Sequence, residues 1–356
     1  MPQDHSIRTH RRARGLIAVI GAAALASLAI AGPAAAQSSG DVSVSGSSTV
    51  EPITSLVAEL FAEKNPDVSV RVDGPGTGDG FVLFCKGETD ISDASRAIKD
   101  EGEEAPACEA NGITYTELPV GLDGLTVIVN KDSSLGLKCL SQADLYAIFG
   151  PESSGDMAAN AAIAEELGTT QGFPAKGTVK KFTPGPESGT YDSFIELGYQ
   201  KIMDARLEEG KITDTTTNDD GELEPAEPLI SDGQFPNDND IVKRVEGSKS
   251  GIGFLGLAYF LENSDQVKAV PIENPDTGKC VKPSEKTVQA GKYVPLARPL
   301  FIYVSNEKAA SNASVKSFVD FYMTKKNLTK TVEEAGYAPL APADIQKSID
   351  TWKAAS

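Results

Sequence analysis

The apolar residues of this chain switch period repeatedly. Val42 and Val44 alternate with polar residues, as do Val68, Val70 and Val72. Between them Val50, Ile53, Val57, Leu60 and Phe61 recur at helical spacing. A period of two marks a half-buried strand, and a period of 3.6 marks an amphipathic helix. Strand, helix and strand within about thirty residues predict an α/β unit. The pattern continues. Leu125 to Val129 and Phe301 to Val304 are short continuous apolar runs, as expected of strands buried on both faces. Ser141 is placed to cap a helix carrying Leu145 and Ile148. Ser317 to Met323 and Asp344 to Trp352 read as helices. The expectation is an α/β architecture with mainly parallel sheets. Two stretches interrupt it: Gly150 to Gly177, rich in Ala and Gly, and an acidic, polar insertion at about 213–240.

The N-terminus predicts the compartment. Arg8, Arg11, Arg12 and Arg14 precede an apolar run from Leu16 to Ala31, and Ala34-Ala35-Ala36 offers a small-residue cleavage site before Gln37. This is the pattern of a cleavable signal peptide over 1–36. A transmembrane anchor fits less well, because the run is short and ends in Gly-Pro. No cysteine follows the run, so no lipid anchor is expected and the mature chain reads as periplasmic.

Composition then excludes several chemistries. The formal net charge is -18, which argues against nucleic acid as a partner. Both histidines, His5 and His10, fall in the signal segment. The mature chain therefore lacks the base of a Ser-His-Asp or Cys-His site and any imidazole ligand. No catalytic residue, cofactor or metal is expected. The four cysteines, Cys85, Cys108, Cys139 and Cys280, sit in an oxidising compartment and allow three pairings. Proximity favours Cys85–Cys108, which leaves Cys139–Cys280. In the acidic insertion Asn218, Asp220, Gly221 and Glu227 have the spacing of a calcium loop, but the first position is Thr216 and a solvated surface insertion is the better reading.

Four short segments carry the chemistry. They are Gly46-Ser47-Ser48-Thr49-Val50, the glycine-rich run Gly74 to Gly80 containing Thr77, Ser92-Asp93-Ala94-Ser95-Arg96, and Gly185-Pro186-Glu187-Ser188-Gly189-Thr190. Each is expected to follow a strand and open a helix. A helix start exposes unpaired N–H groups and a partial positive charge. Ser and Thr add donors without bulk, and glycine lets the backbone come close. Singly, each segment is an ordinary cap or turn. Converging, they would hold a tetrahedral oxyanion by donors alone.

The stretches "GSSTVEPI", "GPGTGDGFVLFCKGETDISDASRAIK", "ELPVGLDGLTVIVN", "FTPGPESGTYDSF", "GIGFLGLAYF" and "RPLFIYV" together resemble the phosphate-binding protein of bacterial phosphate ABC importers, in family order from about Asp41 to Pro342. The resemblance implies a two-lobed periplasmic-binding-protein-like fold of type II with two crossover strands. Lobe 1 would be 37–120 plus about 295–356, and lobe 2 about 121–294. It implies inorganic phosphate bound between the lobes by Thr49, the backbone of Val50, Thr77, Ser95, Ser188, Gly189 and Thr190, with Ser48 as an extra donor. It also implies a monomer that delivers phosphate to a membrane permease. Two positions depart from the best-known branch: Ser95 replaces an Asp that accepts the phosphate proton, and Pro184 replaces an Arg four residues before Ser188. The chain resembles the "ASR" branch instead, so Arg96 is the expected cationic contact, with Arg298 and Lys181 in reserve. Asp123, in "GLDGL", is the expected proton acceptor, with Asp93 second. The alternatives are a receptor for sulfate, arsenate or molybdate, and a secreted phosphatase or hydrolase using Ser48 or Ser188, which the missing histidine disfavours.

Overall fold

A computed structural model of the chain describes residues 40–100, 104–169, 176–186, 188–218 and 221–356. The expected signal peptide lies outside the described residues. The chain opens with β1 (Gly40–Gly46), α1 (Glu51–Ala62), β2 (Val68–Asp73), α2 (Thr77–Cys85), β3 (Ile91–Ala94), α3 (Glu104–Ala110) and β4 (Tyr115–Asn130). It continues with α4 (Gln142–Phe149), α5 (Met157–Glu166), β5 (Lys180–Thr183), α6 (Gly189–Gly198), α7 (Gln200–Glu208), β6 (Thr215–Thr217), β7 (Leu223–Pro225), β8 (Gly233–Gln234) and α8 (Asp238–Glu246). Next come β9 (Gly251–Gly256), α9 (Leu257–Glu262), β10 (Val267–Ala269), β11 (Ile272–Asn274), β12 (Lys279–Val281) and α10 (Glu285–Gln289). The last elements are β13 (Ala297–Ser305), α11 (Asn306–Ser311), α12 (Ala313–Tyr322), α13 (Lys325–Glu334) and α14 (Pro342–Ala355).

One sheet carries the molecule in the order β2-β1-β3-β13-β4-β9-β5-β8, with β10 also on β4. The expectation of mainly parallel pairing needs correction. β1 pairs parallel with β2 and β3, and β5 with β8 and β9, but every pair made by β4 or β13 is antiparallel. The reason is the path of the chain. β4 leaves the first half of the molecule and β13 returns to it, so the two run in opposite directions. β4 pairs with β13 from Tyr115 to Gly124 and then with β9 from Leu125 to Val129.

The two larger of three buried apolar clusters flank this crossing. One holds Val44, Ile53, Val57, Phe61, Ile302, Phe318 and Trp352. The other holds Val127, Leu145, Ile148, Phe149, Phe194, Phe254 and Leu296, with Phe194 stacked on Phe254 at 3.7 Å. Disulfides join Cys85 to Cys108, tying α2 to α3, and Cys139 to Cys280, tying the approach to α4 to β12.

Ser141 caps α4 through a capping box with Asp144. Within their described residues the two irregular stretches carry regular elements. The first contains α5, and the second contains the β6–β7 hairpin and β8. In the calcium-like loop Thr216 pairs with Glu224 in that hairpin, and the Asn218 side chain accepts from the Glu222 N–H at 2.8 Å. Asn218 thus closes a turn. Asp220 lies outside the described residues, among which no group of three acidic, His or Cys side chains is placed to hold a metal.

Candidate anion-binding site

The first helix start is built by close backbone packing. β1 ends at Gly46, and a Cβ there would lie 2.0 Å from the Asp93 carbonyl oxygen. A Cβ on Gly80 would lie 2.4 Å from the Gly46 Cα. Glycine at both positions lets β1, β3 and α2 meet at one point. Ser47 N–H donates to the Asp93 carbonyl at 2.8 Å, and Gly76 N–H to the Gly46 carbonyl at 2.8 Å. α1 then begins after Val50 with no side chain capping it. Thr77 opens α2, and its hydroxyl meets that of Ser95 at 3.0 Å while accepting from the Ser95 N–H at 3.2 Å.

The second start comes from the other half. Ser188 caps α6 and accepts from the Thr190 N–H at 3.2 Å. The structure brings the two starts together. The Cβ position of Gly189 lies 3.5 Å from the Ser48 carbonyl oxygen and 3.5 Å from the Thr49 Cα. One turn along α6, Ser193 is fully buried and its hydroxyl meets Thr49 Oγ1 at 3.2 Å. Ser48, Ser188, Gly189 and Thr190 are half-buried, whereas Thr49, Val50 and Ser95 are buried.

The buried cation here is Arg298 on β13, 8 % exposed. Its Nη2 donates to Ser193 Oγ at 2.8 Å and reaches Thr49 Oγ1 at 3.5 Å. Its Nη1 donates to Glu196 on α6 at 2.5 Å. In the β4–β13 ladder Arg298 is the direct partner of Asp123. Asp123 Oδ2 and Arg298 Nε stand 3.5 Å apart, near enough for an ion pair, yet neither atom makes a hydrogen bond. Burial pushes the Asp123 carboxyl above its ordinary range, and the Arg298 charge opposes it.

Arg96, the cation expected from sequence, is engaged elsewhere. Both its terminal nitrogens donate to Glu104, at 2.9 and 2.6 Å, and the guanidinium lies over the Phe81 ring. Its charge still acts on Glu196. Lys181 is also engaged elsewhere. Its Nζ donates to Ser153 Oγ at 2.9 Å, and burial pushes it down to about 8. Sequence reasoning missed Ser193 and Glu196. The available signal was spacing: 189, 193 and 196 fall on one face of α6.

Asp93 sits inside the first cluster. Thr54 donates to its Oδ1 at 3.0 Å and also meets the Tyr322 hydroxyl at 3.2 Å, while Oδ2 has no hydrogen-bond partner. Burial, reinforced by the Glu51 charge, pushes this carboxyl from 3.8 up to about 8. The folded state therefore holds a proton that the unfolded chain releases above about pH 4. Stability conferred by that proton is full below the unfolded value and declines as pH rises to about 8, by up to about 1.4 kcal/mol per pH unit. Asp93→Asn is expected to flatten this slope. Melting temperatures of parent and variant from pH 4 to pH 8 check it, and parallel curves would contradict it.

With the starts of α1 and α6 brought together in a donor-rich site, the fold is that of a periplasmic-binding-protein-like chain. The chain belongs to the PBP superfamily, whose domain matches residues 31–326, and within it to the family of PstS and SphX. It is 40 % identical over 304 residues to Protein SphX of Synechococcus elongatus, covering 84 % of this chain and 77 % of that protein. It is 35 % identical over 298 residues to the phosphate-binding protein PstS of Staphylococcus haemolyticus, covering 84 % of this chain and 80 % of that one. Among solved structures, a possible phosphate binding protein from Planctomyces limnophilus matches with a TM-score of 0.73 at 33 % identity, covering 89 % of this chain and 99 % of that one. An ABC-type phosphate transport receptor from Vibrio cholerae shares the fold, with a TM-score of 0.58 at 21 % identity over 85 % of this chain and 100 % of that one.

Proposed function

We propose that the chain binds inorganic phosphate between its lobes and delivers it to the membrane permease of an ABC importer. The observation that carries this reading is the approach of the α1 and α6 starts, 3.5 Å from backbone to Cβ position, beside a buried Arg298. Such a site offers N–H and O–H donors from both halves to one tetrahedral anion. Hydrogen bonds to a charged group contribute about 1.5–3 kcal/mol each. The phosphate contacts would be Thr49, the Val50 N–H, Thr77, Ser95, Ser188, Gly189 and Thr190, with Ser48 at the edge. Arg298 would supply the buried charge and Arg96 a second one at the rim.

The two apolar clusters support lobes with the expected boundaries: 37–120 plus about 295–356, and about 121–294. The signal segment supports export to the periplasm through 1–36. Among the described residues no helix is long and apolar enough to cross a membrane. The two unbonded atoms, Asp123 Oδ2 and Arg298 Nε, support a role for Asp123 in reading the ligand.

A carboxylate accepts a proton from hydrogen phosphate and repels sulfate, which has none to give. Asp123→Asn is therefore expected to shift discrimination toward sulfate by about 1–3 kcal/mol. Competition of sulfate against labelled phosphate, in parent and variant, tests both the reading and the role. Phosphate should win in the parent and lose much of its lead in the variant. A parent that prefers sulfate would overturn the phosphate reading.

A further inference from the structure

Arg298 is outnumbered by acids. Glu196 takes its Nη1, Asp123 faces its Nε, and Asp192 on α6 interacts with both Glu196 and Arg298. Arg96, next to Ser95, has both terminal nitrogens on Glu104. Glu196 lies within the field of both arginines, and 47 % of its side chain is exposed. It lies two turns along α6 from Gly189, on the face that carries Ser193. It is thus a half-exposed anion already seated on the guanidinium that borders the paired helix starts.

We propose that Glu196 is a resident counter-anion of the cleft: it competes with phosphate for Arg298 and so holds affinity below what the donors alone would give. This rests on the phosphate reading above. Two anions cannot both be fully solvated by one buried guanidinium. When phosphate enters, the Glu196 carboxylate must turn toward water or stay as a close like charge. Either course weakens binding. Turning out is feasible because the carboxylate is already half in solvent. The residue tunes release as much as capture, since a cargo held by every donor without opposition would leave slowly.

The test is calorimetric titration of phosphate-free protein with inorganic phosphate. It compares the parent with Glu196→Gln and with Glu63→Gln, which removes one charge from an exposed residue at the C-terminal end of α1. At about 20 mM salt Glu196→Gln is expected to lower Kd by about threefold to tenfold, and at about 0.5 M that gain should shrink toward one, because a half-exposed charge is screened. Glu63→Gln should change Kd little. A Glu196→Gln Kd equal to or above the parent's at low salt would overturn the proposal, as would an equal gain from Glu63→Gln. A parent that gives no heat with phosphate and fails to compete for it overturns the phosphate reading itself, a result distinguishable from an unaltered Kd in the variant.

Discussion

Arg298→Ala is expected to weaken phosphate binding by at least about a hundredfold, close to 3 kcal/mol. The side chain is buried and reaches Thr49, Ser193, Glu196 and Asp123 from β13. Its removal deletes the cation at the paired helix starts and leaves Asp123 as an uncompensated buried carboxylate facing the anion. Arg298→Lys should recover part of the loss, since it restores charge without the planar fork. Because an unpaired Asp123 also weakens the fold, Arg298→Ala combined with Asp123→Asn separates the two effects. The double variant should regain melting temperature and remain a poor binder of phosphate. Arg96→Ala should cost less than Arg298→Ala, because the Arg96 guanidinium is already committed to Glu104 and 28 % of its side chain is exposed. Dissociation constants for the four variants check the order. Parent-like affinity in Arg298→Ala would place the working charge elsewhere.

Gly80→Ala is expected to be strongly destabilising for so small a change. The added methyl would meet the Gly46 Cα at 2.4 Å and the Ser45 carbonyl oxygen at 2.9 Å. Both are backbone atoms of β1, so neither can swing aside. Either α2 moves off the sheet or β1 bends, and both Thr77 and the Thr49 helix start move with them. Overpacking of this kind costs about 3 kcal/mol or more when backbone must shift. Gly78→Ala, two residues earlier on the same helix, finds nothing within 4 Å and should be neutral or slightly stabilising. Urea unfolding of the two variants makes the comparison. Equal midpoints would mean that the contact between α2 and β1 is looser than these distances indicate.

The strand and helix framework was legible wherever side chains alternate or repeat strongly, as in Val42–Val44, Val68–Val72 and the Ile53–Phe61 stripe. Half of β4 was not. Tyr115 to Gly124 contains Pro119, Gly121 and Gly124, which break the pattern of a strand. The sheet accommodates them at an irregularity, where Leu300 pairs with Gly121 and Phe301 with Pro119, so one residue is left over. α5 was hidden because its buried side chains, Met157, Asn160, Ala161 and Ala164, contrast little with their neighbours. The donor segments were legible because glycine, serine and threonine at strand ends carry a local chemical meaning. Arg298 and Glu196 were not, for they are 102 residues apart and each is unremarkable alone. Only the closing of β13 against β4, with α6 laid over them, makes them a pair. The same folding commits Arg96 to Glu104, a partner whose choice no local motif announces.

The most direct test of the account is calorimetric titration of the mature chain, freed of endogenous ligand, with phosphate and then with sulfate at fixed salt. Saturable binding of one phosphate per chain is expected, with sulfate bound at least about tenfold more weakly, a gap of about 1.4 kcal/mol or more. No binding of phosphate, or sulfate binding as tight as phosphate, would contradict it.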